Sequence, residues 1–347
     1  MFNHGFSIAR VITQVLKLTT EPFELILFFD GCTDDSVEQG LAVVNRYLKN
    51  AWPVCSKDVE VGEMSSENDV GDECVYTPPP HSAQQGGSSA GGGLLVHFRA
   101  IVQAANNSVY ETTGNNIAMR SVAGKFIVLM QDDMYLLQRG WNSRLAAGPR
   151  TWDDVVSVSA MCAHDLYDHR GNPNHKTGPC GARRRMMQPE KATAAAAAAS
   201  PAGIVLTIGN AYAGEKLVLK MEIRQTSNRG PLLIVADKAK QLQYLDEYNY
   251  RLAKDDHDFH CRAFLEKGWY TGHISIGFCT NLAEGGVRLG RKTARPQYDL
   301  IFTKRRNGRK NRQDCLVSKR AEYDAKVNAT GGAALESRVA ILNYKLF

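Results

Sequence analysis

Asp132 and Asp133 follow the apolar run at residues 126–130, with only Gln131 between. Two adjacent carboxylates repel each other and resist burial, so the pair needs water or a cation to offset its charge. Mg2+ or Mn2+ is the natural partner, a hard ion that takes oxygen ligands and shares them with substrate phosphates. Such an ion would neutralise a departing diphosphate. Two other acidic groups stand at element ends. Asp30 closes the apolar run at 23–29, with Asp34 and Asp35 just beyond it. Asp255, Asp256 and Asp258 open the segment DDHDFHCRAFLEKGW, where one of them could act as general base toward a hydroxyl.

Each of these residues also has a plainer reading. Asp34 and Asp35 suit helix caps, and Asp255 or Asp258 alone would cap the helix it precedes. His257 and His260 read as solvated helix residues. His273, alone in a strand, reads as a satisfied core histidine rather than a metal ligand. A strand that runs straight into Gln-Asp-Asp is harder to explain structurally, because paired acids at a buried edge tend to mark function.

The elements that must carry these groups alternate between helix and strand. SIARVITQVLKL places Ile8, Val11, Ile12, Val15 and Leu16 on one helical face. FELILFFD reads as a buried strand, GCTDDS as a turn with cap candidates, and Val37, Leu41, Val44 and Leu48 as the next helical face. LLVHFRAIVQ predicts a strand, TTGNNIAMRSVAG a helix and DDVVSVSAMC a strand. GPLLIVADKAKQLQYLDE predicts a strand followed by a helix. DDHDFHCRAFLEKGW predicts a helix with Phe259, Ala263 and Phe264 facing inward, and WYTGHISIGF a closing strand. This is the grammar of an α/β fold with a mostly parallel, Rossmann-like sheet flanked by helices. In open sheets of that kind, ligands bind beyond the carboxyl ends of the strands, where Asp30 and Asp132–Asp133 would meet.

Two stretches interrupt the pattern, at about 56–93 and about 170–202. TPPPHSAQQGGSSAGGG and KATAAAAAAS have the composition of disordered insertions. The expected organisation is therefore one domain over 1–300 carrying these insertions, then a basic extension over 301–347. The chain has 347 residues, 44% hydrophobic and 22% charged, which suits a globular protein with a sizeable core. A net charge of +6 is too mild to imply nucleic acid, and the excess is local to TKRRNGRKNR at 303–312, which reads as a solvated run. The eight cysteines form no C-x-x-C pair and are irregularly spaced, which suits reduced thiols. No stretch approaches the roughly 18 apolar residues of a membrane span. The sequence as written reads as cytoplasmic, and as Golgi or membrane-associated if an N-terminal anchor precedes it.

In this order the segments resemble the family 2 glycosyltransferases, which have the GT-A fold. NHGFSIARVITQVLKLT is similar to the segment after their first strand, commonly Tyr-Asn followed by a helix. PFELILFFDGCTDDS looks like their PFELIVVDDGSTDDS. GNNIAMRSVAGKFIVLMQDDM resembles their RN-x-G-x-x-x-A-x-G-x-Y-I-x-x-L-D-x-D. NRGPLLI and LDEYNYRLAKDDHDFHCRAFLEKGW match their late acceptor-side segment, in which an acidic pair precedes an Asp-hydrophobic helix. The resemblance covers most of the chain outside the two insertions. It departs from the family at Gln131, where an acid is usual, and at Cys32, where Ser is usual. Met1 falls after the place where the family's first strand would end, so a strand is expected to precede the sequence given.

The resemblance implies roles for individual residues. Asp30 would contact the base or ribose of the nucleotide, Asp132 would sit at the ribose and diphosphate, and Asp133 would bind Mn2+ or Mg2+. The amide of Gln131 could bond a sugar hydroxyl. Asp256 would take the proton of the acceptor hydroxyl in an inverting single displacement, with Asp255 its rival. Arg288, with Arg291 and Lys292, could close over the phosphates, although EGGVRLGRKT also reads as a merely solvated loop. The expected partners are a nucleotide-diphosphate sugar and a glycan, lipid or protein acceptor, with no nucleic acid. Two alternatives stand beside this reading: a catalytically inactive sugar- or polyanion-binding relative, and a nucleotidyltransferase.

Overall fold

A computed structural model describes residues 5–48, 72–76, 95–104, 108–167, 216–251, 254–280, 315–329 and 336–343. Helix α1 (Gly5–Leu18) buries Ile8, Val11, Ile12 and Leu16, the face that the sequence periodicity predicts. It packs on α2 (Ser36–Tyr47) and on strand β1 (Phe23–Asp30), where Leu27 and Phe29 complete one apolar cluster. Phe29 is fully buried, and burial of such a side chain contributes on the order of 2–3 kcal/mol.

Strand β1 pairs in parallel with β3 (Leu95–Gln103), and β2 (Asp72–Tyr76) adds antiparallel to β3. The expectation of disorder over about 56–93 is thus corrected at 72–76, which form a strand. The other calls on the two insertions, on Arg288, Arg291 and Lys292, and on the run 303–312 lie outside the described residues.

The larger sheet has six strands, in the order β13 (Glu336–Asn343), β8 (Lys216–Arg224), β11 (Tyr270–His273), β6 (Val155–Ser159), β10 (Leu232–Val235) and β4 (Phe126–Leu129). The fold is α/β and compatible with a Rossmann-like arrangement, but the expectation of a mostly parallel sheet is corrected to a mixed one. Strands β6 and β11 are parallel, while β10 lies antiparallel between β4 and β6, and β8 is antiparallel to both its neighbours. Strand β13 lies within the span expected as a basic extension, yet it pairs with β8 along its whole length.

Both faces of this sheet are covered. Along β10, Leu232 and Ile234 join a cluster with Met119, Phe259 and Ala263, while Leu233 joins the opposite cluster with Trp141 and Leu145. The alternation is the period-two geometry of a strand buried on both sides. One side is covered by α3 (Tyr110–Arg120), α5 (Ala236–Gln241) and α6 (Asp255–Lys267), the other by α4 (Trp141–Thr151). Two short antiparallel pairs complete the described strands: β5 (Met134–Leu136) with β12 (Phe278–Thr280), and β7 (Cys162–His164) with β9 (Thr226–Asn228).

Among the described residues β1 pairs only with β3, and β4 only with β10. Helix α3 connects the two sheets. Its first turn meets Asp30 at the end of β1, and just beyond its last turn the Ala123 amide donates to Glu24 Oε1 near the start of β1 (2.9 Å). The carboxyl ends of β1 and β4 therefore face one rim.

The cysteine expectation is also corrected. Cys261 in α6 and Cys315 in α7 (Cys315–Ser318) form a disulfide with Cα atoms 6.0 Å apart, and Cys162 is disulfide-bonded as well. The irregular spacing concealed a pair brought together by tertiary packing rather than by a local motif. Helix α8 (Arg320–Ala329) follows, with Tyr323 buried against Phe264. Among the described residues no helix is long and apolar enough to cross a membrane.

Candidate functional site

The rim is organised by the start of α3. Asp30 accepts hydrogen bonds from Ser108 Oγ (2.8 Å), the Val109 amide (2.8 Å) and the Tyr110 amide (2.9 Å). A carboxylate here satisfies donors that the helix leaves unpaired and matches the positive end of its dipole. Tyr110 has φ of +67°, a left-handed conformation costly for a bulky residue, and the Asp30 bond fixes its amide in place. Beyond it come Glu111, whose carboxylate meets Gln131 and Arg229, and Thr112, whose hydroxyl meets Asp255.

From β4 the chain enters a turn closed by the Met134 amide donating to the Gln131 carbonyl (3.1 Å). Asp132 and Asp133 lie in this turn, half-buried, and Ser7 Oγ at the start of α1 donates to the Asp132 carbonyl (3.2 Å). Gln131 turns toward α3, and its Nε2 donates to Glu111 Oε1 (2.8 Å).

Because β10 is antiparallel to β4 and β6, its beginning lies where those strands end. Leu232 pairs with Leu129 on one side and Ser159 on the other, so Arg229 arrives at the same rim. Gly230 permits the approach, since a Cβ there would stand 2.9 Å from Met161 Cβ and 3.0 Å from its amide nitrogen. The Arg229 guanidinium forms ion pairs with Glu111 and with Asp255 (Nη2 to Oδ2, 2.7 Å). Its backbone amide donates to Asp256 Oδ2 (3.1 Å). Sequence reasoning missed Arg229, which sits inside the NRGPLLI segment but 26 positions from the acid that it pairs with.

The two adjacent acids at the head of α6 differ sharply. Asp255 is 0% exposed and also accepts from Thr112 Oγ1 (2.9 Å) and the Asp256 amide (3.0 Å). Burial alone would raise its pKa, but the charge of Arg229 and these donors hold it below the usual carboxylate range. Arg229 in turn is held well above its ordinary value, the charges of Asp255, Glu111 and Asp256 overcoming the cost of burial. Asp256 is 7% exposed and accepts from the His257 amide at Oδ1 (2.9 Å). Both acids therefore serve as caps, and Asp256 alone of the two reaches solvent.

One turn further along α6, burial pushes the Asp258 carboxyl up to about 6, against the pull of Arg262. Asp258 accepts from Arg262 Nε (2.9 Å) and from the Cys315 amide (2.9 Å), so it ties α7 to α6.

The expectation of solvated histidines at 257 and 260 is corrected. His260 is fully buried, with Nε2 2.8 Å from Ser157 Oγ and Nδ1 3.3 Å from Thr226 Oγ1. His257 is half-buried, with Nδ1 2.8 Å from the same Thr226 hydroxyl. Burial first, then the nearby His257, His164, Arg229 and Arg262, keep His260 well below its ordinary pKa, which favours the neutral ring. The signal was present in the helical spacing, since position 260 shares a stripe with Ala263 and Phe264. His273 is satisfied as expected, its Nδ1 bonded to the Ser159 carbonyl (3.1 Å).

Among Asp34 and Asp35, Asp34 makes the side-chain cap, accepting from the Ser36 amide at Oδ1 (3.1 Å) and the Gly5 amide at Oδ2 (3.1 Å). Asp35 occupies the N-cap position of α2 without a side-chain cap bond.

Arg229 brings together Glu111, Asp255 and Asp256, and the first turn of α3 also meets Asp30 and Gln131. Among the described residues no group of three or more His, Cys, Asp or Glu is placed to hold a metal ion. Asp132 and Asp133 stand side by side in the turn after β4, and an ion of the Mg2+ type takes one or two protein carboxylates and completes its shell with phosphate oxygens and water. No protein-family model matches the chain, and no curated protein matches its sequence.

Proposed function

We propose that this chain is a glycosyltransferase of GT-A type that moves a hexosyl group from a nucleotide-diphosphate sugar to an acceptor hydroxyl, by inversion and with a divalent metal. The observation that carries the reading is the convergence of three separated acidic segments, Asp30, Gln131–Asp133 and Asp255–Asp256, on the first turn of α3. The order of motifs resembling the family 2 glycosyltransferases supports it, as does the α/β fold.

In this reading Asp30 and Asp132 hold the nucleotide, and Asp133, beside Asp132, holds the Mn2+ or Mg2+. When bound, the ion supplies charge neutralisation at the departing diphosphate. Asp256 accepts the proton of the acceptor hydroxyl at a carboxylate oxygen. Its solvent-reaching position favours it over Asp255, which is sealed by Arg229 and Thr112. A base must reach its proton within hydrogen-bond distance, and Asp255 is 0% exposed.

The test is calorimetry with UDP and with GDP, each with and without Mn2+. The wild-type protein should bind one of them in a Mn2+-dependent manner, and Asp133→Ala should abolish that dependence while leaving the melting temperature nearly unchanged. Metal-independent affinity that survives Asp133→Ala would overturn the assignment. Binding without consumption of any UDP- or GDP-linked hexose would turn the reading toward an inactive sugar-binding relative.

A further inference from the structure

The amide at position 131 has a specific neighbour. Gln131 Nε2 donates to Glu111 Oε1 (2.8 Å), Glu111 is ion-paired with Arg229, and Arg229 is ion-paired with Asp255 (2.7 Å). A continuous polar chain thus runs from the end of β4 to the head of α6, through the first turn of α3 and the start of β10. The Arg229 side chain is 8% exposed and that of Asp255 0%, so the acceptor end of this chain is shielded from water. Truncating one member of a buried pair leaves its partner's charge uncompensated.

The charge count along the chain explains the residue at 131. Glu111 carries one negative charge and faces Arg229 on one side. A carboxylate at 131 would stand at hydrogen-bond distance from the same Glu111 oxygen, with no proton between them. An amide donates there instead.

We propose that Glu111 and Arg229 are positioning residues, holding the acceptor-side Asp255–Asp256 pair in register with the donor-side end of β4, and that Gln131 is the amide that closes this chain. The proposal rests on the transfer reading, because it deepens the roles assigned there. Arg229 acts on Asp256 in two ways: its amide bonds Oδ2 directly, and its guanidinium fixes the neighbouring Asp255. Displacement of the guanidinium frees Asp255 to rotate and loosens the first turn of α6, which carries Asp256. The nucleotide side keeps its own contacts at Asp30, Asp132 and Asp133.

The experiment has two arms. The first needs no activity. Thermal unfolding is measured for the wild type, Gln131→Glu, Glu111→Gln and the double variant. Gln131→Glu should lower the melting temperature by several degrees, and the double variant should lose clearly less than the two single losses added, because the carboxylate–carboxylate contact is gone while the lost Glu111–Arg229 pair is common to Glu111→Gln alone. Additive losses in the double variant would show that 131 and 111 are uncoupled and would overturn the chain.

The second arm measures consumption of UDP- and GDP-linked hexoses with Mn2+ for the wild type, Arg229→Gln and Arg229→Lys. Arg229→Gln should lower kcat at least tenfold with KM changed less than about threefold, and Arg229→Lys should recover part of kcat. Unchanged kcat in a folded Arg229→Gln protein, or a matched loss in Arg229→Lys and Arg229→Gln, would overturn the positioning role. A wild-type protein that neither binds Mn2+–UDP or Mn2+–GDP nor consumes any donor would sink the transfer reading. Coupling between 131 and 111 in such a protein would leave a purely structural strut and so overturn the positioning role as well.

Discussion

Helix α6 borders two buried polar clusters that keep their polarity in opposite ways. At its first residue, Asp255 lies in an ionised network with Arg229 and Glu111. One turn along, His260 lies among the hydroxyls of Ser157, Thr226 and Thr271, and is held neutral. Neutral hydrogen bonds are the cheaper way to satisfy buried polar atoms, since a buried ion carries a desolvation cost of several kcal/mol. The hydroxyl–imidazole cluster needs no more than that to seat α6 on β6, β9 and β11. The ionised cluster goes beyond that requirement, and under the proposed transfer reading its charges serve the acceptor side of the rim.

The largest effect that sharpens this contrast belongs to Asp256. Asp256→Asn retains size and hydrogen bonding but cannot accept a proton, so donor consumption should fall by about 10²–10⁴-fold with Mn2+–nucleotide binding unchanged. Asp255→Asn is the control. If Asp255→Asn stopped turnover while Asp256→Asn remained active, the two roles would be exchanged despite the burial of Asp255.

A second contrast lies within α6 and appears as pH dependence. The folded pKa of Asp258 stands at about 6, above its unfolded value near 3.8, so the unfolded chain releases this proton first. Its contribution to stability is therefore full below about pH 4 and is lost as pH rises through about 6, by at most about 3 kcal/mol. Asp255 has the opposite sign: its folded pKa is depressed, so its contribution is present above about pH 4 and lost as pH falls through the lower folded value. In Asp258→Asn the fall in melting temperature between about pH 4 and 6 should be smaller than in the wild type. An identical fall in both proteins would mean that another group titrates there.

The smallest effect tests the neutral cluster. His260→Leu leaves Ser157 and Thr226 short of a partner and should cost about 1–3 kcal/mol of stability. Donor consumption per folded molecule should stay as in the wild type. Loss of turnover without loss of melting temperature would erase the distinction between the two clusters.

Much of this rim was legible in the sequence because its parts are local. The run from Phe126 to Met130 declares a buried strand, and Gln131–Asp133 mark where it ends. The helical stripe through Phe259 and Ala263 declares α6. What could not be read is what depends on direction and distance. Periodicity does not tell a parallel strand from an antiparallel one, so the reversal of β10, and with it the delivery of Arg229, left no trace in NRGPLLI. The alternation of Leu219, Met221 and Ile223 in β8 was available but lay beside a low-complexity stretch that obscured it. Strand β13 has meaning only opposite β8. Gln131 read as a missing acid until Glu111 stood next to it.

The Cys261–Cys315 bond has a topological consequence. It closes the backbone between those two positions into a covalent ring that contains the end of α6, all of β11 and β12, and the stretch at 281–314. A single break inside the ring does not divide the molecule, because the sulfur bridge still joins the two pieces. Under denaturing conditions such a break yields two separate pieces only when a reductant is added. The head of α6, which carries the acids, lies just outside the ring, on the chain leading into it.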